Sequence, residues 1–339
     1  MKSLTCETSR SFVQKEKPMP VPQKGQVVIK VACAAICGSD HLLWLAGVPC
    51  TPGHEFSGWV EDPGDSGFKK GDRVCAPEIN PCGECEFCLS GQENLCVRGL
   101  TGVPGVSADG AYGEYVAVRA DLLRRLPDDM PMELRAIAEP AAVSLHGLRR
   151  SGMPVGETLL VWGNGPIGIY AAALAKLEGA RAVYMVGRNP GRVDFCNALD
   201  FVDGCFSAKD AELDKKLAEA APGGFSYAVD ALGSTDAFDQ LLSHMRVRGT
   251  IALLGLHSQT VEFNTAALLA KEVSLVPGWF FTLKEYDDAL ALIEANREMF
   301  MRTISRRIPA DAETVQEMFV KLFESDKNDE GKVVIDYRL

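Results

Sequence analysis

Thr158-Leu159-Leu160-Val161-Trp162-Gly163-Asn164-Gly165-Pro166-Ile167-Gly168 is the stretch that decides the fold class. The first five residues read as a buried strand, and residues 169–177 beyond the loop read as a helix. Strand, G-x-G-x-x-G and helix, in that order, are what a dinucleotide requires. Gly163, Gly165 and Gly168 permit a tight turn and let a pyrophosphate approach the helix N-terminus, with Pro166 and Ile167 completing the loop. Downstream, residues 182–186, 227–231 and 250–254 read as further strands separated by Ala- and Leu-rich helical stretches. That alternation is the mark of parallel βαβ units, so the region past Glu139 is expected to be a doubly wound Rossmann-type domain.

Upstream of the loop the texture is different. Residues 27–35, 58–60, 71–74 and 112–118 are short strand signals punctuated by Gly and Pro, and the first third reads as largely β. Two groups of metal-ligand residue types fall within it. Cys82-x2-Cys85-x2-Cys88-x7-Cys96 can close a tetrahedral thiolate shell with no open position, as a structural zinc requires. Cys37-Gly38-Ser39-Asp40 and Gly53-His54-Glu55 place a thiol, an imidazole and a carboxylate near the end of the strand at 27–35, a donor set that also suits zinc.

Composition bounds the rest. A chain of 339 residues exceeds what one hydrophobic core usually supports, and 47% hydrophobic with 24% charged residues is the balance of a soluble globular protein. The formal charge of -11 argues against nucleic acid or an anionic membrane as partner, since both select a basic face. With no run long enough for a membrane helix and no signal-peptide core after Met1-Lys2, a cytoplasmic location is expected. In that reducing compartment the eleven cysteines favour metal over disulfides, and Cys6, Cys33, Cys50, Cys75, Cys196 and Cys205 are expected to be free, mostly buried thiols.

Together these stretches, with Gly71-Asp72-Arg73-Val74 and Glu139-Pro140, resemble the zinc-containing medium-chain alcohol dehydrogenases, in the sorbitol (polyol) and threonine dehydrogenase branch. The resemblance implies an α/β chain with a GroES-like β-rich catalytic domain at 1–145, a structural zinc lobe at 80–97, a Rossmann domain at 146–281 and a return to the catalytic domain at 282–339, closed by a strand at Val333-Val334-Ile335. It implies Cys37 and His54 as constant ligands of a catalytic zinc, Glu55 and Glu139 as acidic residues that alternate with water, and Ser39 as the hydroxyl that passes the substrate proton. A helix cap for Ser39 and a macrodipole-stabilised carboxylate for Glu139 are the plainer alternatives. His41 stands one position away from the family's relay histidine, and the short step from Cys37 to His54 trims a loop beside the substrate. Trp44, Phe56, Trp279 and Phe281 are candidate pocket walls by the same resemblance, with plain core as the alternative.

The expected function is hydride transfer between a nicotinamide cofactor and a polyol or other secondary alcohol or ketone, by a homodimer or homotetramer joined through an edge of the Rossmann sheet near 275–279. A non-catalytic zinc- and dinucleotide-binding sensor is the alternative. NAD-preferring domains carry an acid roughly 20 residues past the glycine motif. That place here is Gly187, followed by Arg188 and, four residues on, Arg192, so NADP(H) is favoured over NAD(H), with two solvated arginines and an enzyme indifferent to the phosphate as the alternative, and Gly187→Asp is expected to shift the preference toward NAD(H).

Overall fold

The computed structural model describes residues 1–339 apart from 49, 257–259 and 263. The chain opens with an antiparallel hairpin, β1 (Lys2–Thr8) and β2 (Ser11–Glu16), and then lays down β3 (Gln26–Ala35), β4 (Glu55–Asp62), β5 (Arg73–Cys75), β6 (Tyr115–Arg119) and β7 (Arg124–Arg125). Six strands follow: β8 (Thr158–Trp162), β9 (Ala182–Gly187), β10 (Gly204–Ser207), β11 (Phe225–Asp230), β12 (Met245–Leu253) and β13 (Ser274–Pro277). Last come β14 (Ile304–Pro309) and β15 (Lys332–Asp336).

The six middle strands form one parallel sheet in the order β10-β9-β8-β11-β12-β13. This is the 3-2-1-4-5-6 order of a doubly wound sheet, whose ligand crevice lies beyond the carboxyl ends of the two central strands, here β8 and β11. Every residue of β8 is buried because both its faces are covered: Leu159 and Val161 enter one core, Leu160 and Trp162 the other. Against the first face packs the helix Pro166–Leu177, buried without a break from Gly168 to Ala175. Its small alanines allow close approach to the sheet, and Pro166 presets the first helical turn.

The other strands build a seven-stranded sheet in the order β14-β15-β3-β4-β5-β7, with β6 also pairing with β3. β15 runs antiparallel to β3, so the last strand of the chain does close the first sheet, and the α/β architecture of a β-rich unit plus a Rossmann sheet is as expected. The helix Ala138–Ser151 runs across the junction expected at 145. An irregularity in the β3–β4 register between Val31 and Cys33 matters for the site. Before it, Val27, Ile29 and Val31 face the core of the first sheet; after it, Ala34 and Ile36 do, while Cys33 and Ala35 turn toward the core that contains Ala138 and Ala141. A bulge of this kind re-aims a strand end, and here the strand leads straight to Cys37.

Candidate active site

β3 ends at Ala35, and the chain turns through Cys37 into the helix Asp40–Ala46. Asp40 is fully buried and shapes this turn: its Oδ2 accepts from the Cys37 N–H at 3.0 Å and from the Tyr112 hydroxyl at 2.7 Å. His54 reaches the same place from the other side, one residue before β4. Gly53, at φ +95°, makes this possible, since a Cβ there would stand 2.4 Å from the Tyr112 ring. Glu139 enters from the first turn of the helix Ala138–Ser151.

Cys37, His54 and Glu55 bring donor atoms within 4.8 Å of one another, and His54 forms a second such group with Glu78 and Glu139. Both ring nitrogens of His54 and the Oε1 of Glu139 are buried without a hydrogen bond, although carboxylates of Glu78 and Asp40 stand 3.4 and 3.6 Å from His54 Nδ1. Buried polar atoms left unpaired are costly, so these atoms await a partner, and the thiol, imidazole and carboxylate set suits a zinc ion. Electrostatics point the same way. Burial draws the His54 imidazole down, yet Glu78, Asp40, Glu139 and Glu55 outweigh it and raise it to about 9. Burial, then the Glu55 charge, lifts the Glu139 carboxyl to about 7, and burial lifts the Cys37 thiol. A site crowded with anionic donors and poor in cations is relieved by a bound metal ion.

Glu55 stands apart from the other acids. It is wholly buried and paired with Lys332, whose Nζ lies 2.5 Å away and also donates to the Ile36 carbonyl at 2.8 Å. Ser39 is exposed, makes no helix-capping bond, and points its hydroxyl at Cys37 Sγ, 3.2 Å away. The plain cap is therefore not what Ser39 does. His41 is half-buried and stacks on Phe323 at 4.5 Å. Sequence reading missed Glu78, Lys332 and the Asp40–Tyr112 bond; the one available signal was an acid in the apolar run Cys75-Ala76-Pro77-Glu78-Ile79.

Three of the expected pocket walls are corrected. Trp44, Phe56 and Phe281 are buried in the two cores, where apolar packing accounts for them. Trp279 is 45% exposed and lines a surface cavity of about 390 Å³ with His146 and Arg150, away from the metal-ligand cluster.

In the cysteine lobe the sulfurs of Cys82, Cys85, Cys88 and Cys96 all lie within 4.8 Å of one another, with Cys85 to Cys88 at 3.5 Å. Backbone N–H groups of Glu84 and Cys85 bring the Cys82 thiol down to about 6, toward the thiolate that a metal takes. Of the remaining six cysteines, all but the half-buried Cys50 are buried.

At the glycine loop, Gly163 has φ +115°, and a Cβ on Gly168 would fall 1.9 Å from the Gly163 carbonyl oxygen. A Cβ on Gly165, by contrast, meets nothing closer than Arg192 Nη1 at 3.8 Å, leaving room over the helix N-terminus for a phosphate group. Arg192 Nε donates to the Glu330 carbonyl at 2.8 Å, and Arg188 is exposed. The Gly187→Asp expectation meets a steric condition. A Cβ at Gly187 would sit 2.1 Å from the Asn164 side chain, so Gly187→Asp would displace Asn164 rather than simply supply an acid.

Comparison with known proteins agrees with this arrangement. Residues 23–128 match the alcohol dehydrogenase GroES-like domain and residues 166–295 the zinc-binding dehydrogenase family. The chain is 32% identical to a sorbitol dehydrogenase of Halalkalibacterium halodurans over 84% of its length and 85% of that protein's. It is 36% identical to an L-threonine 3-dehydrogenase of Anaeromyxobacter over 76% of its length and 77% of that protein's. Among solved structures, 2R,3R-butanediol dehydrogenase from Bacillus subtilis superposes with a TM-score of 0.87 at 25% identity, covering 99% of both chains. The chain belongs to the zinc-containing medium-chain alcohol dehydrogenase family and is a zinc-dependent alcohol or polyol dehydrogenase.

Proposed function

We propose that this enzyme transfers hydride between NADP(H) and a polyol or other small secondary alcohol, using one catalytic and one structural zinc per chain. The observation that carries the reading is that His54 shares one close donor group with Cys37 and Glu55 and another with Glu78 and Glu139, while both its ring nitrogens and Oε1 of Glu139 are buried without a hydrogen bond. Cys37, His54 and Glu139 would hold the catalytic ion with Glu55 in reach, and Cys82, Cys85, Cys88 and Cys96 the structural one. Zinc at the first site supplies Lewis acidity, which lowers the pKa of an alcohol enough for oxidation near neutral pH.

The protein's own groups do the rest. Ser39, exposed beside Cys37, takes the substrate proton and passes it to solvent. Asp40 fixes the Cys37 turn and faces the His54 ring, keeping both in register. Gly163, Gly165, Pro166, Ile167 and Gly168 bind the pyrophosphate at the helix N-terminus. Gly187 leaves no acid to repel a 2'-phosphate, and Arg188 and Arg192 attract one. That the named relatives are dehydrogenases favours catalysis over the non-catalytic sensor.

The reading is tested by metal analysis together with a panel of polyols, amino alcohols and ketones assayed with both cofactors. Two zinc ions per chain and a higher kcat/KM with NADP(H) are expected. One zinc or none would remove the metal assignment, and a higher kcat/KM with NAD(H) would reverse the cofactor assignment alone.

A further inference from the structure

We infer that Asn164 reads the 2'-position of the cofactor's adenosine ribose, its carboxamide standing where the acid of an NAD-preferring domain would stand. The inference rests on the dinucleotide reading of the glycine loop. Asn164 is the first variable position of that loop, directly after Gly163 and just beyond the end of β8. Its backbone is fixed beside the second strand of the sheet. The Gly163 N–H donates to the Val186 carbonyl of β9 at 2.8 Å, and the Asn164 carbonyl accepts from the Cys196 thiol at 3.9 Å.

The Asn164 side chain crosses to Gly187, the last residue of β9. A Cβ built on Gly187 would lie 2.1 Å from Cγ and Nδ2 of Asn164 and 2.3 Å from its Oδ1. An acid at position 187 would thus begin in the space that the carboxamide fills. At the end of this strand a carboxylate ordinarily accepts from the ribose 2'-hydroxyl. Merely filling the space would call for no polar group. Asn164 is 5% exposed, yet its amide nitrogen has only Cys205 Sγ at 4.0 Å, and among the described residues nothing hydrogen-bonds to its Oδ1. A buried carboxamide so poorly met is costly unless a ligand completes it. Being neutral and carrying both donors and an acceptor, it can bond a 2'-hydroxyl or a 2'-phosphate. A charge placed on it would decide between them.

Titration of the zinc-loaded protein with NADPH and with NADH, followed by nucleotide fluorescence, tests this without reference to turnover. Asn164→Asp is isosteric and puts a carboxylate at the ribose, so it should weaken NADPH by at least about tenfold through like-charge repulsion and leave NADH within about threefold of wild type. Loss of both nucleotides by the same factor, or of neither, overturns the inference. Because the variant is read as a shift in ratio, a wild type that prefers NADH would remove the NADP(H) assignment alone, whereas a wild type that binds neither would remove the dinucleotide reading itself. A second variant does not depend on how Asn164→Asp folds. Gly187→Asp alone should weaken both nucleotides, because the two side chains collide; adding Asn164→Ala clears the space and should restore NADH but not NADPH. A double variant that keeps the wild-type ratio of affinities overturns the inference.

Discussion

Lys332 and Glu55 show how much one buried pair can decide. Both side chains are essentially inaccessible and in contact at 2.5 Å, so the pair's desolvation is offset only while both partners are present. Lys332→Met strands the Glu55 charge and should cost about 3–5 kcal/mol, read as a lower urea midpoint at unchanged m. Adding Glu55→Gln to that variant removes the stranded charge and should recover part of the loss. Single-variant stability equal to wild type would show that the pair is not buried as described. At the cofactor end, Arg188 is exposed beside a glycine whose substitution requires the Asn164 side chain to move, so the arginine is the cleaner handle on specificity. A charge-assisted hydrogen bond contributes about 1.5–3 kcal/mol, and Arg188→Ala should therefore weaken NADP(H) by roughly one to two orders of magnitude in titration, with NAD(H) nearly unchanged. Equal losses for both cofactors would remove Arg188 from the 2'-phosphate. The residues of this site were unequally legible. Cys37, His54 and Glu139 sit in motifs that can be read locally, whereas Lys332 meets Glu55 across 277 positions and Glu78 meets Glu139 only because β5 and a distant helix converge. For Trp44, Phe56 and Phe281 the plain-core alternative holds, and sequence alone could not decide it for a related reason: aromatic side chains line pockets and fill cores by the same apolar chemistry, and only burial separates the two.

Among the elements, the cysteine lobe has the least apolar packing to rely on. Its helix Glu86–Leu89 has no buried residue, and Leu89 and Val97 lie open to solvent at 74% and 81%. Four thiols within 4.8 Å must then hold the loop, and a closed zinc site contributes its binding free energy directly to folding. Cys85→Ser should lower the melting temperature by several degrees while the metal-ligand cluster around His54 keeps its own ion; equal melting temperatures would deny the lobe a structural role. The contrast with β8 and the helix Pro166–Leu177 explains why the Rossmann half was read correctly from sequence. There, apolar strand, glycine turn and alanine-rich helix are consecutive and agree with one another. In the first sheet β3 pairs with β4, β6 and β15, partners scattered over the chain, and its bulge after Val31 has no sequence signature.

At the scale of the whole molecule the open question is what covers β13. This strand is the last of the parallel sheet, paired among the described residues only with β12, and such an edge offers the backbone groups that proteins normally blunt or cover. Several exposed apolar side chains lie on β12 or on the segments that flank β12 and β13 in the chain: Val247, Leu256, Leu269 and Trp279 are exposed by 62%, 66%, 75% and 45%. The lobe joins the same surface, since Asn94 donates to the Trp279 carbonyl at 2.9 Å. Isolated exposed apolar residues are ordinary, so it is the open sheet edge together with them that makes self-association through β13 a testable expectation. Two copies meeting edge to edge about a two-fold axis would pair β13 with its symmetry mate and bury both groups at once, extending one sheet through the dimer. Val276 lies in the middle of β13 and is only half-buried, so a lysine there can be accommodated within one chain but places like charges together across such an axis. Val276→Lys should therefore shift the mass measured by light scattering from a dimer or tetramer toward the 36.7 kDa of a single chain, with the far-ultraviolet spectrum preserved. A wild-type protein already monomeric at micromolar concentration, or a Val276→Lys variant as large as wild type, would move the association face elsewhere.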